Sequence, residues 1–371
     1  MRVVLTGGGT GGHIYPALTI AQGLRARGGV ELLYIGTRDG LEAKLVRTAG
    51  LPLATIAARK LARGRRGQLL PAAFGLALGL GQASRILHRF RPQVVIGTGG
   101  YVCAPVILAA SLAGIPTLLH EQNALPGLTN RLLASFTSGV CLTFPEAAFR
   151  FPPGTRTHLT GLPVREEIWR WTREEAAARL GLDARKKTIL AVGGSLGARR
   201  LNEAMLAVHR RWQGNAAVQI LHVTGEGDYA RFREMVQAAG IDPVKSGNIT
   251  IVPYLHEMPL ALALADLVVG RAGATFLAEL TAKGLAAILI PYPYAAENHQ
   301  EHNARSLFRA GACELILDRE LTPERLQQRV DALLADDRRR GELAERARSL
   351  GRRDALERLL AVVDELIKRR R

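Results

Sequence analysis

Short aliphatic runs alternate with segments of helical period along the whole chain, and this pattern limits the fold more than any other feature. The runs VVLT, ELLYIG, VVIG, TLLH and GVCL are followed later by TILAVG, VQILHV, ITIV, LVVG and AAILIP. Such alternation is typical of α/β proteins with parallel sheets. A loose internal repeat, in which a strand leads into GGGTGGH and later into GGSLGA, predicts two Rossmann-like domains that face a central cleft.

The segment 151–169 is rich in Pro and Gly and breaks this alternation, so we place the domain boundary within it. We predict an N-terminal domain over 1–163 and a C-terminal domain over 164–342. A length of 371 residues is enough for two domains that each have a hydrophobic core.

Cysteine content and hydropathy exclude several classes of protein. The 3 cysteines have no CxxC spacing, which indicates a reducing compartment and argues against a structural zinc site. The first apolar stretch meets a glycine loop after five residues, too early for a signal peptide, so we expect a cytosolic chain. The uncharged runs 69–81 and 94–119 are too short or too rich in Gly and Pro for membrane spans.

The net charge of +17 is unevenly distributed. The stretch from Ala43 to His120 has no Asp or Glu but ten Lys or Arg. No nucleic-acid module is recognisable there, and aromatic stacking residues are few, so nucleic acid is not the expected partner. The cluster RKLARGRR beside QLLPAAFGLALGL instead favours a peripheral contact with an anionic membrane surface. The alternative is that the charge only reflects an Arg-rich composition and that the apolar run is a core helix.

Two glycine motifs in the first half follow strands. GGGTGGH fits the dinucleotide pattern GxGxxG, but the run ELLYIG ends without the acidic residue that would bind a ribose. His13 follows in the first turn of a helix, where the dipole favours a neutral imidazole that can act as a base, unless it only caps or packs. The loop GTGGYVCAP offers backbone N–H groups to a ligand, or is simply a tight turn.

The run HEQN after TLL places four polar side chains at the carboxyl edge of the predicted sheet. Glu121 is suited to proton transfer and Asn123 to binding a sugar hydroxyl. A helix-capping cluster is the alternative.

The second half has a corresponding set of loops. GGSLGARRLNE, with Ser195, precedes a helix and is suited to a diphosphate, but it lacks the GK[ST] of a P-loop, which argues against ATP hydrolysis. In RAGATFLAE, Glu279 is placed to bind ribose hydroxyls, or is a solvated helix residue. Gln300 follows a later strand and reaches the same region, unless it only begins a surface helix.

The ordered set GGTGGH, GTGGY, HEQNALPG, GLPVR, GGSLGA, RAGAT…AE and Gln300 resembles the MurG family of UDP-N-acetylglucosamine transferases over essentially the whole chain. The resemblance implies a GT-B fold with a C-terminal domain that binds UDP-GlcNAc. It also implies an N-terminal domain that faces the membrane and the lipid-linked acceptor. We expect the C-terminal helix, about 343–371, to pack back on the N-terminal domain.

By this resemblance, several positions match the family's donor contacts: Thr10, Gly11, Gly12, Asn123, Arg165, Ser195, Leu255, Ala274, Thr275, Phe276, Leu277, Ala278, Glu279 and Gln300. Gly99, Gly100 and Tyr101 are assigned to the acceptor diphosphate. The chain departs from the family pattern at Ala272, at the pair Cys103–Ala104 and at His299, where the family commonly has Ser, Ser-Gly and Gln.

The resemblance implies an inverting transfer of GlcNAc from UDP-GlcNAc to the C4 hydroxyl of MurNAc in lipid I, which yields lipid II and UDP. His13 is the first candidate base and Glu121 the second. No DxD motif is visible, so neither a metal nor a cofactor is expected. The expected location is the cytoplasmic face of the bacterial inner membrane, as a peripheral protein. The alternatives are an NAD(P)-dependent oxidoreductase and a non-enzymatic basic scaffold at the membrane.

Overall fold

The computed structural model describes residues 1–58, 69–194 and 198–369. The chain divides into two compact units. Unit 1 comprises Met1–Val164 and Arg352–Arg371, and unit 2 comprises Arg165–Gly351.

Unit 1 is built on a parallel sheet of seven strands. They are β1 (Arg2–Thr6), β2 (Glu31–Gly36), β3 (Leu53–Thr55), β4 (Val94–Gly97), β5 (Thr117–Glu121), β6 (Gly139–Leu142) and β7 (Thr157–Leu159). Their spatial order is β3-β2-β1-β4-β5-β6-β7. The helices between them are α1 (Gly11–Ala26), α2 (Leu41–Thr48), α3 (Leu69–Phe90), α4 (Cys103–Leu112) and α5 (Leu128–Leu133), with short 3-10 helices at Ala134–Phe136 and Pro145–Arg150.

Both faces of the unit 1 sheet are covered, which is why its strands read as nearly continuous apolar runs. Val3 and Leu5 of β1 point to one face, where they pack in a cluster with Ile20 of α1. Val4 points to the other face and packs with Val106 of α4. The alternation is the two-residue period of a strand.

Unit 2 has a parallel sheet of six strands: β8 (Lys187–Val192), β9 (Val218–Val223), β10 (Ile249–Val252), β11 (Leu267–Gly270), β12 (Ala287–Leu289) and β13 (Glu314–Leu315). Their order is β10-β9-β8-β11-β12-β13. Its helices are α6 (Glu167–Arg170), α7 (Arg173–Leu180), α8 (Arg199–Trp212), α9 (Tyr229–Ala238), α10 (Pro243–Ser246), α11 (Met258–Leu264), α12 (Ala274–Lys283), α13 (His299–Arg309), α14 (Pro323–Ala335) and α15 (Asp337–Leu350), with 3-10 helices at Ala296–Asn298 and Asp318–Glu320.

The predicted α/β fold with two parallel sheets is confirmed. The run 94–119 is confirmed as a strand, a helix and a strand inside unit 1. Across the described residues, every helix is either too short or too polar to cross a bilayer.

The C-terminal segment divides between the units at Gly351, whereas the sequence suggested a single segment from about 343. Leu343 of α15 is fully buried in the core of unit 2. The last helix, α16 (Ala355–Lys368), instead buries Leu359 and Val363 in the core of unit 1. Its Leu356 lies so close to Gly23 that a Cβ there would come within 2.6 Å of the leucine side chain. Residues 343–351 therefore belong to unit 2.

We expect Leu359→Ala to destabilise unit 1 selectively, because it leaves a cavity in a fully buried site of that core. Leucine-to-alanine changes of this kind cost about 2–5 kcal/mol. Hydrogen exchange of peptides from β1 and β2 should accelerate, while peptides from β8 and β9 stay protected. Leu343→Ala is the matched control and should show the reverse pattern. Equal acceleration in both units would contradict the assignment of α16.

Candidate active site

The predicted glycine loops leave the sheets where the strand order reverses direction. In unit 1 the chain passes from β1 outward to β3, then returns to β4 on the other side of β1. In unit 2 the same reversal separates β8 from β11. Ligands of open α/β sheets bind at such switch points, outside the carboxyl ends of the strands. The loops after β1, β4, β8 and β11 thus occupy the two positions where a ligand is expected.

The two glycine loops of unit 1 are interlocked. The Gly8 N–H donates to the Gly99 carbonyl at 3.3 Å. Gly100 has a φ of 84°, and a Cβ on it would lie 2.2 Å from the Gly8 carbonyl oxygen. The Thr98 hydroxyl donates to the His13 carbonyl at 2.7 Å and so joins the second loop to α1. Position 100 therefore requires glycine for its conformation and for this close approach.

A buried carboxylate that the sequence analysis did not identify supports the first loop. Glu42 of α2 is fully buried. Its Oε2 accepts from the Gly9 N–H at 3.3 Å, and its Oε1 accepts from the Thr37 N–H at 3.1 Å and the Thr37 hydroxyl at 2.5 Å. The Gly8 and Gly9 N–H groups thus have partners within the protein. This arrangement does not suit a dinucleotide phosphate, although the loop fits GxGxxG.

Cys103 serves the second loop as a serine would. Its Sγ accepts from the Gly99 N–H at 3.2 Å, and its single S–H is shared between the carbonyls of Gly99 and Thr6 at 3.1 and 3.3 Å. Burial raises the pKa of this thiol to about 12, so it stays protonated and able to donate. At this position, where the family commonly has Ser, the thiol both accepts from and donates to the loop backbone.

His13 lies at the junction of the two loops. Its Nδ1 is 3.0 Å from the Thr98 carbonyl oxygen and 3.3 Å from Oε1 of Gln122. Both partners are acceptors, so Nδ1 carries the proton and Nε2 has the lone pair. In the described part of the chain, Nε2 has no hydrogen-bond partner. Burial lowers the pKa of His13, while the bonds to Gln122 and Thr98 act in the opposite direction. The ring is therefore a neutral imidazole with an available basic nitrogen.

Glu121 organises the loop that follows β5. One carboxylate oxygen accepts from the N–H and the side-chain amide of Asn123 at 2.9 and 3.2 Å. The other accepts from the Gly127 N–H at 3.1 Å and from Asn130 at 2.8 Å. Burial raises the pKa of Glu121, and these four hydrogen bonds oppose that rise. Because both oxygens already accept two bonds, the geometry favours His13 over Glu121 as a base.

The second glycine loop of unit 1 and the start of α1 also have N–H groups without hydrogen-bond partners among the described residues. In the described residues, the N–H groups of Gly100 and Tyr101 make no hydrogen bond. Thr10 is the N-cap of α1 but makes no capping bond with its side chain, so the first N–H groups of this helix, including those of Gly11 and Gly12, have no side-chain partner at the cap.

In unit 2, the loop after β8 begins with Gly193 and Gly194, and Gly194 has a φ of 86°. Ser195 lies outside the described residues. Ala198 is the N-cap of α8 and Gly273 is the N-cap of α12, and neither provides a side-chain cap. The first-turn N–H groups of both helices thus lack intrahelical partners, which makes these helix starts suited to bind an anion.

Gln300 is held in one orientation beside the start of α12. Its Oε1 accepts from the N–H groups of Ala272 and Tyr292 at 3.1 and 3.0 Å. In the described chain its NH2 group has no partner, so the side chain presents only donors. The Thr275 hydroxyl on the first turn of α12 is likewise buried without a partner among these residues.

Arg165 and Glu279, which the sequence analysis assigned to the donor separately, form an ion pair. Arg165 Nε lies 2.7 Å from Oε1 of Glu279, and the Glu279 side chain is only 4% exposed. Burial raises the pKa of Glu279, while the Arg165 guanidinium opposes the rise. Oε2 of Glu279 has no partner in the described chain. The pair therefore leaves one carboxylate oxygen available to accept from a hydroxyl.

The remaining donor positions have less distinctive surroundings. Leu255 is half-buried in the loop between β10 and α11, and Phe276, Leu277 and Ala278 lie on α12. Among the described residues, no group of three or more His, Cys, Asp or Glu side chains is arranged to bind a metal ion.

We expect Glu42→Ala to weaken the first glycine loop, because it leaves the Gly9 and Thr37 donors unsatisfied. Such losses cost about 1–3 kcal/mol each in a buried site. The free energy of unfolding, measured in urea, should fall by that order. The exposed Glu31→Ala is the matched control and should change it little. Equal stability of the two variants would contradict the role given to Glu42.

Comparisons with known proteins identify the family of this chain. Residues 3–142 match the model of the glycosyltransferase family 28 N-terminal domain, and residues 188–359 match that of its C-terminal domain. A Moorella thermoacetica protein named UDP-N-acetylglucosamine--N-acetylmuramyl-(pentapeptide) pyrophosphoryl-undecaprenol N-acetylglucosamine transferase is 53% identical, with 98% of each chain covered. A Desulforudis audaxviator protein of the same name is 48% identical, with 99% of this chain and 98% of that protein covered.

A solved structure indicates the same family. The crystal structure of Acinetobacter baumannii MurG is similar with a TM-score of 0.78 and 30% identity, covering 98% of this chain and 99% of that one. The two domain matches, the full-length relatives and this structure agree. The chain therefore belongs to glycosyltransferase family 28 and, within it, to the MurG family.

Proposed function

We propose that this chain transfers GlcNAc from UDP-GlcNAc to the C4 hydroxyl of MurNAc in lipid I, forming lipid II and UDP. The observation that carries the proposal is the 53% identity to a transferase of that name over 98% of the chain. The site geometry supports it, because unit 1 provides a neutral imidazole and unit 2 provides helix starts suited to a diphosphate.

His13 is the proposed base. Nε2 removes the proton of the C4 hydroxyl of MurNAc while the oxygen of that hydroxyl forms a bond to the anomeric carbon of GlcNAc. The bond between that carbon and the β-phosphate oxygen breaks, and UDP leaves with the electron pair. Direct displacement inverts the anomeric configuration and gives a β linkage. Glu121 in this account shapes the loop that holds Asn123.

Unit 2 is proposed to bind the donor. The starts of α8 and α12, with Ser195, accommodate the diphosphate and stabilise its charge as UDP departs. Oε2 of Glu279 accepts from a ribose hydroxyl, and the NH2 group of Gln300 donates to a hydroxyl of the sugar. The other donor positions, which the family resemblance supplies, stay predictions: Thr10, Gly11, Gly12, Asn123, Arg165, Leu255 and the α12 residues from Ala274 to Ala278.

The second loop of unit 1 is proposed to bind the diphosphate of lipid I. The N–H groups of Gly100 and Tyr101, which make no hydrogen bond in the described residues, are the donors for this anion, and Gly99 gives the loop its turn. Charge stabilisation by N–H groups and helix starts requires neither a metal nor a cofactor.

We also propose that unit 1 binds the anionic cytoplasmic face of the inner membrane peripherally. Helix α3 exposes Phe74 by 71%, Leu76 by 40% and Leu78 by 45%, which is unusual for an apolar helix inside a domain. Arg85 and Arg89 are exposed on the same helix. The cationic cluster 59–66 that precedes it lies outside the described residues. An apolar surface beside cations is the composition that interfacial binding requires.

The oxidoreductase alternative is less well supported, because Glu42 and Gly99 already accept the N–H groups that a dinucleotide phosphate would need. A non-enzymatic scaffold would have no use for an ordered imidazole at the switch point. UDP-GlcNAc should raise the melting temperature of the enzyme, and NAD(P) should not.

We expect His13→Ala to lower kcat by about 10²–10⁴, the usual worth of a general base, without changing the Kd for UDP-GlcNAc. Because burial lowers the pKa of His13, the wild-type kcat should persist below pH 6.5 and fall only as the imidazole becomes protonated. The exposed His88→Ala is the control. Loss of donor binding in His13→Ala with kcat unchanged would contradict the assignment.

We expect Glu279→Ala to raise the Kd for UDP, because it removes a ribose acceptor and leaves Arg165 without its partner. A loss of about 1–3 kcal/mol corresponds to roughly 5–150-fold. Titration calorimetry with UDP measures it, with the exposed Glu324→Ala as control. Unchanged UDP affinity would exclude Glu279 from the donor site.

Binding to vesicles of anionic phospholipid should weaken as salt rises, because screening shortens the range of the attraction. Sedimentation should show that the combined change Arg63→Glu, Arg65→Glu and Arg66→Glu abolishes binding at low salt. The exposed residues Arg185, Arg233 and Arg338 of unit 2, changed to Glu together, are the control of equal charge. If the first triple variant still sediments like wild type, the membrane proposal fails.

A further inference from the structure

Gln122, at the carboxyl end of β5, is fully buried and connects His13 to a second buried histidine. Its Nε2 lies 2.8 Å from the Thr98 carbonyl oxygen and 3.0 Å from the His120 carbonyl oxygen. Carbonyl oxygens only accept, so the amide nitrogen must face them. Oε1 is thereby turned toward Nδ1 of His13, at 3.3 Å.

His120 supports the same orientation. Its Nε2 lies 2.9 Å from the Gly161 carbonyl oxygen, so this nitrogen carries the proton. Its Nδ1 is then an acceptor, and it lies 3.2 Å from Nε2 of Gln122. Burial lowers the pKa of His120 to about 4, so the ring stays neutral and Nδ1 keeps its lone pair at physiological pH.

The Gln122 NH2 group has two hydrogens and three neighbouring acceptors, so one hydrogen is shared between two of them. The contacts run from Gly161 through His120 and Gln122 to His13, and every donor in them faces an acceptor. If the Gln122 amide were reversed, its NH2 group would face Nδ1 of His13. That arrangement would favour the tautomer with the proton on Nε2, which cannot accept a proton from a substrate. The orientation of the Gln122 amide therefore influences whether Nε2 of His13 is unprotonated and able to accept a proton.

We propose that Gln122, oriented by His120, is a positioning residue that holds His13 with Nδ1 protonated and Nε2 available. This inference rests on the proposed function for its catalytic consequence but not for its structural content. Gln122 does not touch the reacting atoms. It shares Nδ1 of His13 with the Thr98 carbonyl, so its removal should weaken the arrangement without abolishing it.

Other titratable groups adjoin the same loops. They are Glu121 at the end of β5, Tyr101 on the second loop, Cys103 on α4, Tyr34 on β2 and Glu42 on α2. None of them is hydrogen-bonded to His13 in the described chain. A new charge at position 122 would therefore be the only ionised group bonded directly to the imidazole.

The test uses the full chain with ¹⁵N-labelled histidine, in which the His13 signals are assigned by their loss in His13→Ala. Wild type should show Nδ1 protonated and Nε2 unprotonated. Gln122→Met removes the acceptor, so the His13 pKa should fall and kcat should drop about tenfold. Gln122→Glu keeps an acceptor and adds negative charge, so the His13 pKa should rise and more activity should remain than in Gln122→Met.

The acidic limb of the pH profile of kcat should shift with the His13 pKa. Because only the neutral imidazole is active, the limb should move to lower pH in Gln122→Met and to higher pH in Gln122→Glu. The KM for UDP-GlcNAc should stay within about twofold. Gln219→Met removes a buried glutamine of unit 2 that bonds Asp183 and Thr188, and it should leave the His13 signals and the pH profile unchanged.

Two results would overturn the inference: a wild-type His13 protonated on Nε2, or a His13 pKa that is unmoved in both position-122 variants. If the pKa moves as expected while the acid limb of kcat does not, the positioning role stands and His13 is not the base. Because the wild-type spectrum alone tests the tautomer, a variant that fails to fold does not remove the test.

Discussion

The function available to each unit depends on which acceptors the backbone N–H groups of its glycine loops bind. Every buried N–H needs an acceptor, and glycine loops at a switch point have more of them than the sheets can satisfy. In unit 1 the Gly8 and Gly9 groups bond to Gly99 and Glu42. In unit 2 the starts of α8 and α12 have no side-chain cap. The first glycine loop of unit 1 is thus a rigid support for an imidazole, whereas the helix starts of unit 2 are open donors for an anion.

The rigid support explains the state of His13. A histidine that is partly removed from water resists protonation, and its Nδ1 faces two oxygens that only accept. Gly99 contributes by having no side chain, since a Cβ there would lie 2.9 Å from Nδ1 of His13. The ring is therefore neutral, fixed in orientation and basic at Nε2, which is the combination that removal of a hydroxyl proton requires.

The fold was predictable from the sequence because parallel strands buried on both faces give apolar runs, and because glycine marks the loops where helices start. The partners of single side chains were not predictable in this way. The dinucleotide pattern expects an acidic residue at the end of β2. Glu42 lies further along the chain, on α2, and its side chain points inward only because of the position of that helix. Arg165 and Glu279 are 114 residues apart, so their ion pair depends on the packing of unit 2. The division between α15 and α16 at Gly351 also depends on packing, because α15 packs in the core of unit 2 and α16 in the core of unit 1.

The starts of α8 and α12 in unit 2 have no side-chain cap, whereas the Gly8 and Gly9 N–H groups of unit 1 have internal partners. Amide-resolved NMR during a titration with UDP tests it most directly. We expect the largest shifts on Gly194 and on the first turn of α12, including Thr275, with Gly8 and Gly9 unchanged. Shifts confined to Gly8 and Gly9 would contradict it.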